Sequence, residues 1–348
     1  MVNHNRSGTQ QTQLLEDVTS EKHLVTTKTP LRITFTGGGT DLPEYYMKYG
    51  PGAVLSAAIN SYIYISVSKH FYPDELRVSY SSTENAIKNI NDIKHPTVRE
   101  ALRLLDIKSG IQIVSITEIP SKGTGLGSSS SFLVGLLNAL HAWKGELTSP
   151  KQLAEEAVYI EREVLKEKGG KQDQYMAAYG GINLMEFMKN GEVCVKPIPI
   201  STKLRKELES NLIMFYTGNE RSSSAIHEKQ ALEIGKNIDK YTRMREIAYE
   251  TAEAVTKGEW SLLGKLFNEN WLLKKQLSGE ITNDVIDSYY SKALAAGASG
   301  GKLIGAGGSG FMLFNAIPEK RSAVASALNL QEHSFEIETQ GSRVIYVE

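Results

Sequence analysis

The 348-residue chain holds 30 glycines, and three bunches of them could do chemistry: Gly37-Gly38-Gly39, Gly123-Thr124-Gly125-Leu126-Gly127 and Gly305-Ala306-Gly307-Gly308-Ser309-Gly310. Glycine tolerates positive φ and lets a ligand or a second backbone come close, although any one such loop can equally be a tight turn. The middle bunch carries more. It follows an apolar run, Ile111 to Thr117, and leads into Ser128-Ser129-Ser130-Ser131, after which Phe132, Leu133, Leu136, Leu137 and Leu140 fall at helical spacing. Strand, glycine loop and helix start therefore coincide. The first amides of a helix lack intrahelical partners and the helix dipole is positive there, so phosphate oxygens are favoured. The serines supply a cap and spare hydroxyls, one of which can reach a metal ion held between phosphates. The guest implied is a triphosphate, cradled by Gly123, Thr124, Gly125, Leu126, Gly127, Ser128, Ser129 and Ser130.

Two better-known phosphate motifs do not account for these loops. No Gly-Lys-Ser or Gly-Lys-Thr occurs, and the HRD and DFG elements of protein kinases are absent. Gly305-x-Gly307-x-x-Gly310 matches a dinucleotide fingerprint, but that fingerprint must open a helix and here it runs into Phe311-Met312-Leu313-Phe314, a strand.

The elements that must position these loops form an α+β pattern in two halves. Strands are expected at Leu31 to Thr36, Ile63 to Lys69, Ile111 to Thr117, Gly181 to Phe187 and Val193 to Pro197, with helices near Ser129 to Trp143 and Pro150 to Lys166. Lys196-Pro197-Ile198-Pro199-Ile200 breaks the pattern, because two prolines withhold donors from any central strand. The division placed there gives a mobile tail over 1–23, one domain over 24–199 and a second over 200–348. In the second, a strand over Asn211 to Tyr216 precedes a long helical stretch from about Ser222 to Tyr290. Phe311 to Phe314, Glu319 to Leu328, Ser334 to Thr339 and Arg343 to Val347 then read as strand, helix, strand and strand.

Composition narrows the partners. Lys and Arg number 39 against 40 Asp and Glu, a net charge of −1, which offers no broad attraction to nucleic acid or a membrane surface. The single cysteine, Cys194, permits no internal disulfide and sits in an alternating run that reads as a buried strand residue. Seven scattered histidines without paired spacing argue against a transition-metal site. No apolar run approaches the ~18 residues of a membrane span and no signal peptide is evident, so the expectation is a cytoplasmic protein with a small-molecule partner; homo-oligomerisation stays open.

The loops together resemble those of the GHMP kinases. Pro120 to Ser130 is similar to that family's P-x-x-x-G-L-G-S-S phosphate loop, Pro30-Leu31-Arg32-Ile33-Thr34-Phe35-Thr36-Gly37-Gly38-Gly39-Thr40-Asp41 to its first motif, and Lys302 to Phe311 to its third. The resemblance implies an N-terminal domain like ribosomal protein S5 domain 2, a ferredoxin-like C-terminal domain, and ATP with Mg2+ bound between them. Within the family, Thr36 to Tyr46 and Gly169-Gly170-Lys171-Gln172-Asp173-Gln174 are similar to members that phosphorylate the anomeric hydroxyl of a heptose 7-phosphate, giving the 1,7-bisphosphate for nucleotide-heptose synthesis.

The same resemblance assigns roles. Asp173 takes or orients the proton of the attacking hydroxyl, and Arg32 places a fixed charge near the transferring phosphoryl group. Ser129 and Glu161 match the metal-holding serine and glutamate, with Glu163 close enough to compete for the second role. Asp41 matches a residue that bonds sugar hydroxyls, while Gly38 and Gly39 replace a Glu-His pair of galactokinases and leave room for a larger sugar. Arg221 and Ser222, in Thr217 to Ser224, form a candidate clamp for the sugar's distal phosphate, and Lys171 is placed near the substrate by adjacency to Asp173. Two other readings fit these residues: a 1-kinase for unphosphorylated fucose, arabinose or galactose, and a ligand sensor on the same fold without turnover.

Overall fold

Two long runs of β-branched and aromatic residues found the first sheet: β1 (Leu24–Thr36) and β2 (Gly52–Lys69) pair antiparallel along nearly their whole length. The register slips between Pro30 and Leu31, where proline brings no donor. This computed structural model describes residues 22–120, 123–218 and 223–348, so most of the expected 1–23 tail lies outside the described residues. Its last two residues are docked: the Lys22 ammonium donates to the Ala142 carbonyl and the His23 amide to that of Glu348.

Between β1 and β2 lies α1 (Pro43–Tyr49), and after them come β3 (Leu76–Ser79), β4 (Thr83–Ile87), α2 (Pro96–Leu104) and β5 (Ile111–Thr117). Then follow α3 (Ser128–Lys144), α4 (Pro150–Val158), α5 (Gln172–Tyr179), β6 (Ile182–Phe187) and β7 (Val193–Pro197). The second half contains α6 (Thr202–Asn211), β8 (Leu212–Tyr216), α7 (Ser223–Glu233), α8 (Ile238–Lys257), α9 (Trp260–Lys275) and α10 (Asp284–Ala295). It closes with β9 (Gly300–Leu303), β10 (Phe311–Asn315), α11 (Pro318–Leu328), β11 (Gln331–Glu332) and β12 (Arg343–Val347).

The first sheet runs β12-β1-β2-β5-β3-β4, with β6 and then β7 added along the other end of β2; the second runs β11-β8-β10-β9. Helix α3 packs against β1 and β2 and is buried almost all round, which is why its apolar residues do not keep to one stripe. No described helix is long and apolar enough to cross a membrane.

Four expectations change. The helical stretch over 222–290 is several helices, broken where Gly258 takes φ +73° and again between Gln276 and Asn283. Ser334 to Thr339 is not a strand: it fills the part of β2 left open between its β6 and β5 partners, touching it through a single bridge, Ile337 to Ile59, and flanking backbone bonds. The 200–348 unit is not closed on itself, because β12 returns to pair with β1. Cys194 is exposed, since among the described residues β7 is an edge strand paired with β6 alone and this position faces out.

Candidate active site

The helix start is left open. Gly127, at φ +76°, occupies the N-cap of α3 and no side chain caps the helix, contrary to the expectation that a serine would. All four serines are already helical and three are used elsewhere: Ser128 Oγ meets Thr124 Oγ1 at 3.2 Å, Ser130 donates to Glu161, and Ser131 to the Pro30 carbonyl at 2.9 Å. Ser129 is exposed and lines a cavity, so a 17-residue helix points its first amides and one free hydroxyl at that space.

The third glycine loop holds the second in place. A Cβ on Gly125 would stand 2.5 Å from the Ile304 carbonyl oxygen, and one on Gly305 would stand 2.6 Å from the Gly125 Cα. The Leu126 carbonyl accepts from the Arg32 amide at 3.0 Å, which ties the same loop to β1. Loops far apart in sequence thus meet backbone to backbone, and only glycine permits the approach.

Arg32 and Asp173 form the centre. Nε and Nη2 of Arg32 donate to the two carboxylate oxygens of Asp173 at 2.8 and 2.7 Å, a fork that fixes both planes. Arg32 Nη1 donates to the Gly125 carbonyl, so the phosphate loop, the guanidinium and the carboxylate are one hydrogen-bonded unit. Asp173 lies in the first turn of α5, and its approach is set by Asp41, whose carboxylate accepts from the amides of Gly39 at 2.9 Å and Gln172 at 3.4 Å. A Cβ on Gly170 would collide with that carboxylate at 1.6 Å, so the loop before α5 needs glycine there.

Glu161 is 4% exposed and accepts from Ser130 at 3.1 and 2.9 Å and from Gln174, all neutral donors. Burial pushes its carboxyl up to about 8, and no cation among the described residues pairs with its charged form. Glu163, the competing candidate, lies on the surface, 3.7 Å from Lys166, and does not line the cavity.

The cavity brings together Arg32, Gly38, Gly39, Asp41, Ser129, Ser130, Glu161 and Asp173. Gly123, Thr124, Gly125, Leu126, Gly127 and Ser128 shape its rim without lining it. Lys171 is not on the cavity wall: its ammonium donates to the Gly191 carbonyl at 3.0 Å, while its neighbours Gly170 and Gln172 do line the cavity. Arg221 and Ser222 lie outside the described residues.

Sequence reasoning assigned no role to two lysines that also line the cavity. Lys302 is buried and donates to the Thr34 and Phe35 carbonyls at 2.8 and 3.0 Å; Lys274 is buried and donates to the Gly305 carbonyl. Burial drives Lys274 down to about 8, with the Arg32 charge adding and Asp41 opposing, and drives Lys302 well below the lysine range. Only the position of Lys302 at the head of the third loop could have marked it.

The chain matches the model of the GHMP kinases N terminal domain over residues 93–181 and that of the GHMP kinases C terminal over 251–332. It is 32% identical over 321 residues to a D-glycero-alpha-D-manno-heptose 7-phosphate kinase of Campylobacter jejuni, covering 88% of this chain and 94% of that one. A solved D-glycero-D-manno-heptose 1-phosphate kinase from Bacteroides thetaiotaomicron has TM-score 0.78 and 26% identity, covering 93% of this chain and 99% of that one. Lactococcus lactis galactokinase, solved with galactose, has TM-score 0.75 at 16% identity over 96% of this chain and 99% of that one, a likeness of fold alone. The two-domain, mixed helix-and-sheet architecture expected from the sequence is the one these structures have.

Proposed function

This chain belongs to the GHMP kinases, as a phosphotransferase of the sugar-kinase type with an alcohol acceptor, and from that premise we propose that it moves the γ-phosphoryl group of ATP to the anomeric hydroxyl of D-glycero-D-manno-heptose 7-phosphate. The observation that carries the reading is the Arg32–Asp173 fork, bonded through Gly125 to the loop below the open start of α3. Phosphoryl transfer asks mainly for positioning and charge neutralisation, and the site supplies both.

The first amides of α3 and the Ser129 hydroxyl receive the phosphate chain of ATP. Asp173 accepts the proton of the anomeric hydroxyl as its oxygen bonds to phosphorus, and ADP departs with the electrons of the broken bond. Arg32 holds the Asp173 carboxylate aimed, and its charge lies close to the transferring group. Asp41 and the side-chain-free wall at Gly38 and Gly39 receive the sugar. Glu161 and Ser129 fit Mg2+: a buried carboxylate without a cation and a free hydroxyl are hard oxygen donors facing one space. Bound there, the ion would supply positive charge to the phosphates.

The test is incubation of the full chain with ATP, Mg2+ and a panel of sugars: the heptose as its 7-phosphate, as its 1-phosphate and free, with fucose and galactose. Phosphorus NMR locates the new ester. Formation of the 1,7-bisphosphate from the 7-phosphate supports the reading, and turnover confined to an unphosphorylated sugar removes it.

A further inference from the structure

Arg162 lines the same cavity, on the π-helical turn that ends α4. Its Nη1 is sealed from solvent and has no hydrogen-bond partner, and no ion pair joins it to a carboxylate among the described residues. Such a group loses hydration without gaining an acceptor, which is costly unless a ligand completes it. The acidic residues nearby do not. Glu161 is engaged by Ser130 and Gln174, Glu163 lies by Lys166, and Glu167, on the cavity wall, makes no ion pair with Arg162.

A second cation stands beside it. Lys171 is held below the usual lysine range first by burial and then by the Arg162 charge, and its hydrogen bond goes to a carbonyl rather than a carboxylate. Its ammonium lies 5.6 Å from the centre of the Tyr46 ring. Chain neighbours fix the location: Gln172, next to Lys171, donates its amide to the Asp41 carboxylate at 3.4 Å, and a Cβ on Gly170 would collide with that carboxylate. The pair of cations is therefore on the side of the cavity where Asp41 and Gly39 receive the sugar. Lys168 adds a third cation to the wall, also without an ion pair among the described residues.

We propose that Arg162, supported by Lys168 at the wall and Lys171 behind it, holds the acceptor's own phosphate, a dianionic phosphomonoester carried at the far end of the sugar. A planar guanidinium on the cavity wall, without a carboxylate partner among the described residues, matches phosphate oxygens, and an anion would relieve the repulsion between Arg162 and Lys171. The inference rests on the sugar-phosphate reading and adds the residues that would impose it. It gives the phosphate a seat other than Arg221 and Ser222.

The experiment measures kcat/KM for heptose 7-phosphate and for free heptose with the full-length chain, and inhibition by inorganic phosphate. In Arg162→Ala the ratio of the two kcat/KM values should fall about 10- to 100-fold, and the inhibition constant for inorganic phosphate should rise in parallel. Arg162→Lys should recover part of the ratio, and Lys168→Ala, at an exposed position, should lower it about threefold. If Arg162→Ala does not fold, those two variants carry the test. A ratio within twofold of wild type in Arg162→Ala or, where that variant does not fold, an unchanged ratio in both Arg162→Lys and Lys168→Ala, overturns the assignment. Wild-type protein that ignores the 7-phosphate altogether overturns the sugar-phosphate reading and this inference together; wild-type protein that uses it while the Arg162 ratio stays put overturns the inference alone.

Discussion

Helix α3 ends in two different ways. At its C-terminus Gly145 takes φ +80°, the amides of Gly145 and Glu146 bond back to Ala142 and His141 at 3.0 and 2.9 Å, and both ring nitrogens of His141 meet carboxylates, Glu146 at 2.6 Å and Glu156 at 2.8 Å. At its N-terminus, among the described residues, no side chain caps the helix, Ser129 is free, and Glu161 lies buried without a cation. One end is finished by its own chain. The other keeps polar capacity unspent, and a protein tolerates that where a ligand will use it. Arg32 and Asp173 pair with each other in the free protein, and under the proposed function they would serve as charge and base once substrate binds.

The harshest way to break the contrast is to neutralise the centre of the open end. Asp173→Asn keeps the shape but leaves the Arg32 fork facing an amide and removes the proton acceptor. The expected fall in kcat is about 10² to 10⁴, with ATP affinity within a few-fold of wild type. Steady-state kinetics beside calorimetric titration of a nonhydrolysable ATP analogue separates the two. Near-normal turnover would assign the base elsewhere. Arg32→Ala should cost nearly as much alone, and the double variant little more than either, because the two side chains act as one unit.

Glu161→Gln sharpens the comparison by moving activity and stability in opposite directions. The magnesium concentration needed for half-maximal rate should rise about 10-fold or more. The ligand-free protein should become more stable. The sign follows from the carboxyl, at 4.5 in the unfolded chain and about 8 in the folded one: the unfolded state releases its proton first, so this group subtracts stability as pH rises from 4.5 towards 8. Removing it should return about 1 to 3 kcal/mol at pH 7.5 and little at pH 5. Urea melts at the two pH values read this directly, and parallel slopes for variant and wild type would show that Glu161 is not strained in the free protein.

How much of this was legible depended on whether a signal is local. The loop from Gly123 to Gly127 could be read because strand, glycines, serines and helix pattern are consecutive, and α3 duly begins at Ser128. The wrong cap came from the same locality: serines are good caps, but Ser130 and Ser131 are drawn to Glu161 and Pro30, partners 31 and 101 residues away. Alternation in 334–339 resembled a strand because the segment does lie extended against β2, yet no partner was free to complete a ladder. Cys194 alternates as expected, but an edge strand exposes a face that the pattern alone cannot identify. Lys274 and Lys302 gave least away. A lysine in an amphipathic helix or at a strand start is usually solvated, and only the meeting of three loops encloses these two.

The mildest change tests the finished end. Burial alone would lower the His141 pKa, but its hydrogen bonds to the Glu156 and Glu146 carboxylates outweigh it, and the net shift is upward from 6.5. The folded state then binds the proton more tightly than the unfolded one. Its stabilisation is complete below pH 6.5 and is lost as pH climbs through the higher folded value. His141→Gln should therefore cost about 1 kcal/mol at pH 6 and less at pH 9, since Glu146 is 42% exposed and water screens part of the attraction. Its kinetics should match wild type, because His141 does not line the cavity. The two substitutions on and beside α3 should thus move stability in opposite senses, Glu161→Gln upward and His141→Gln downward. A helix whose two ends both lost stability on neutralisation would show that its open end is completed by the chain itself.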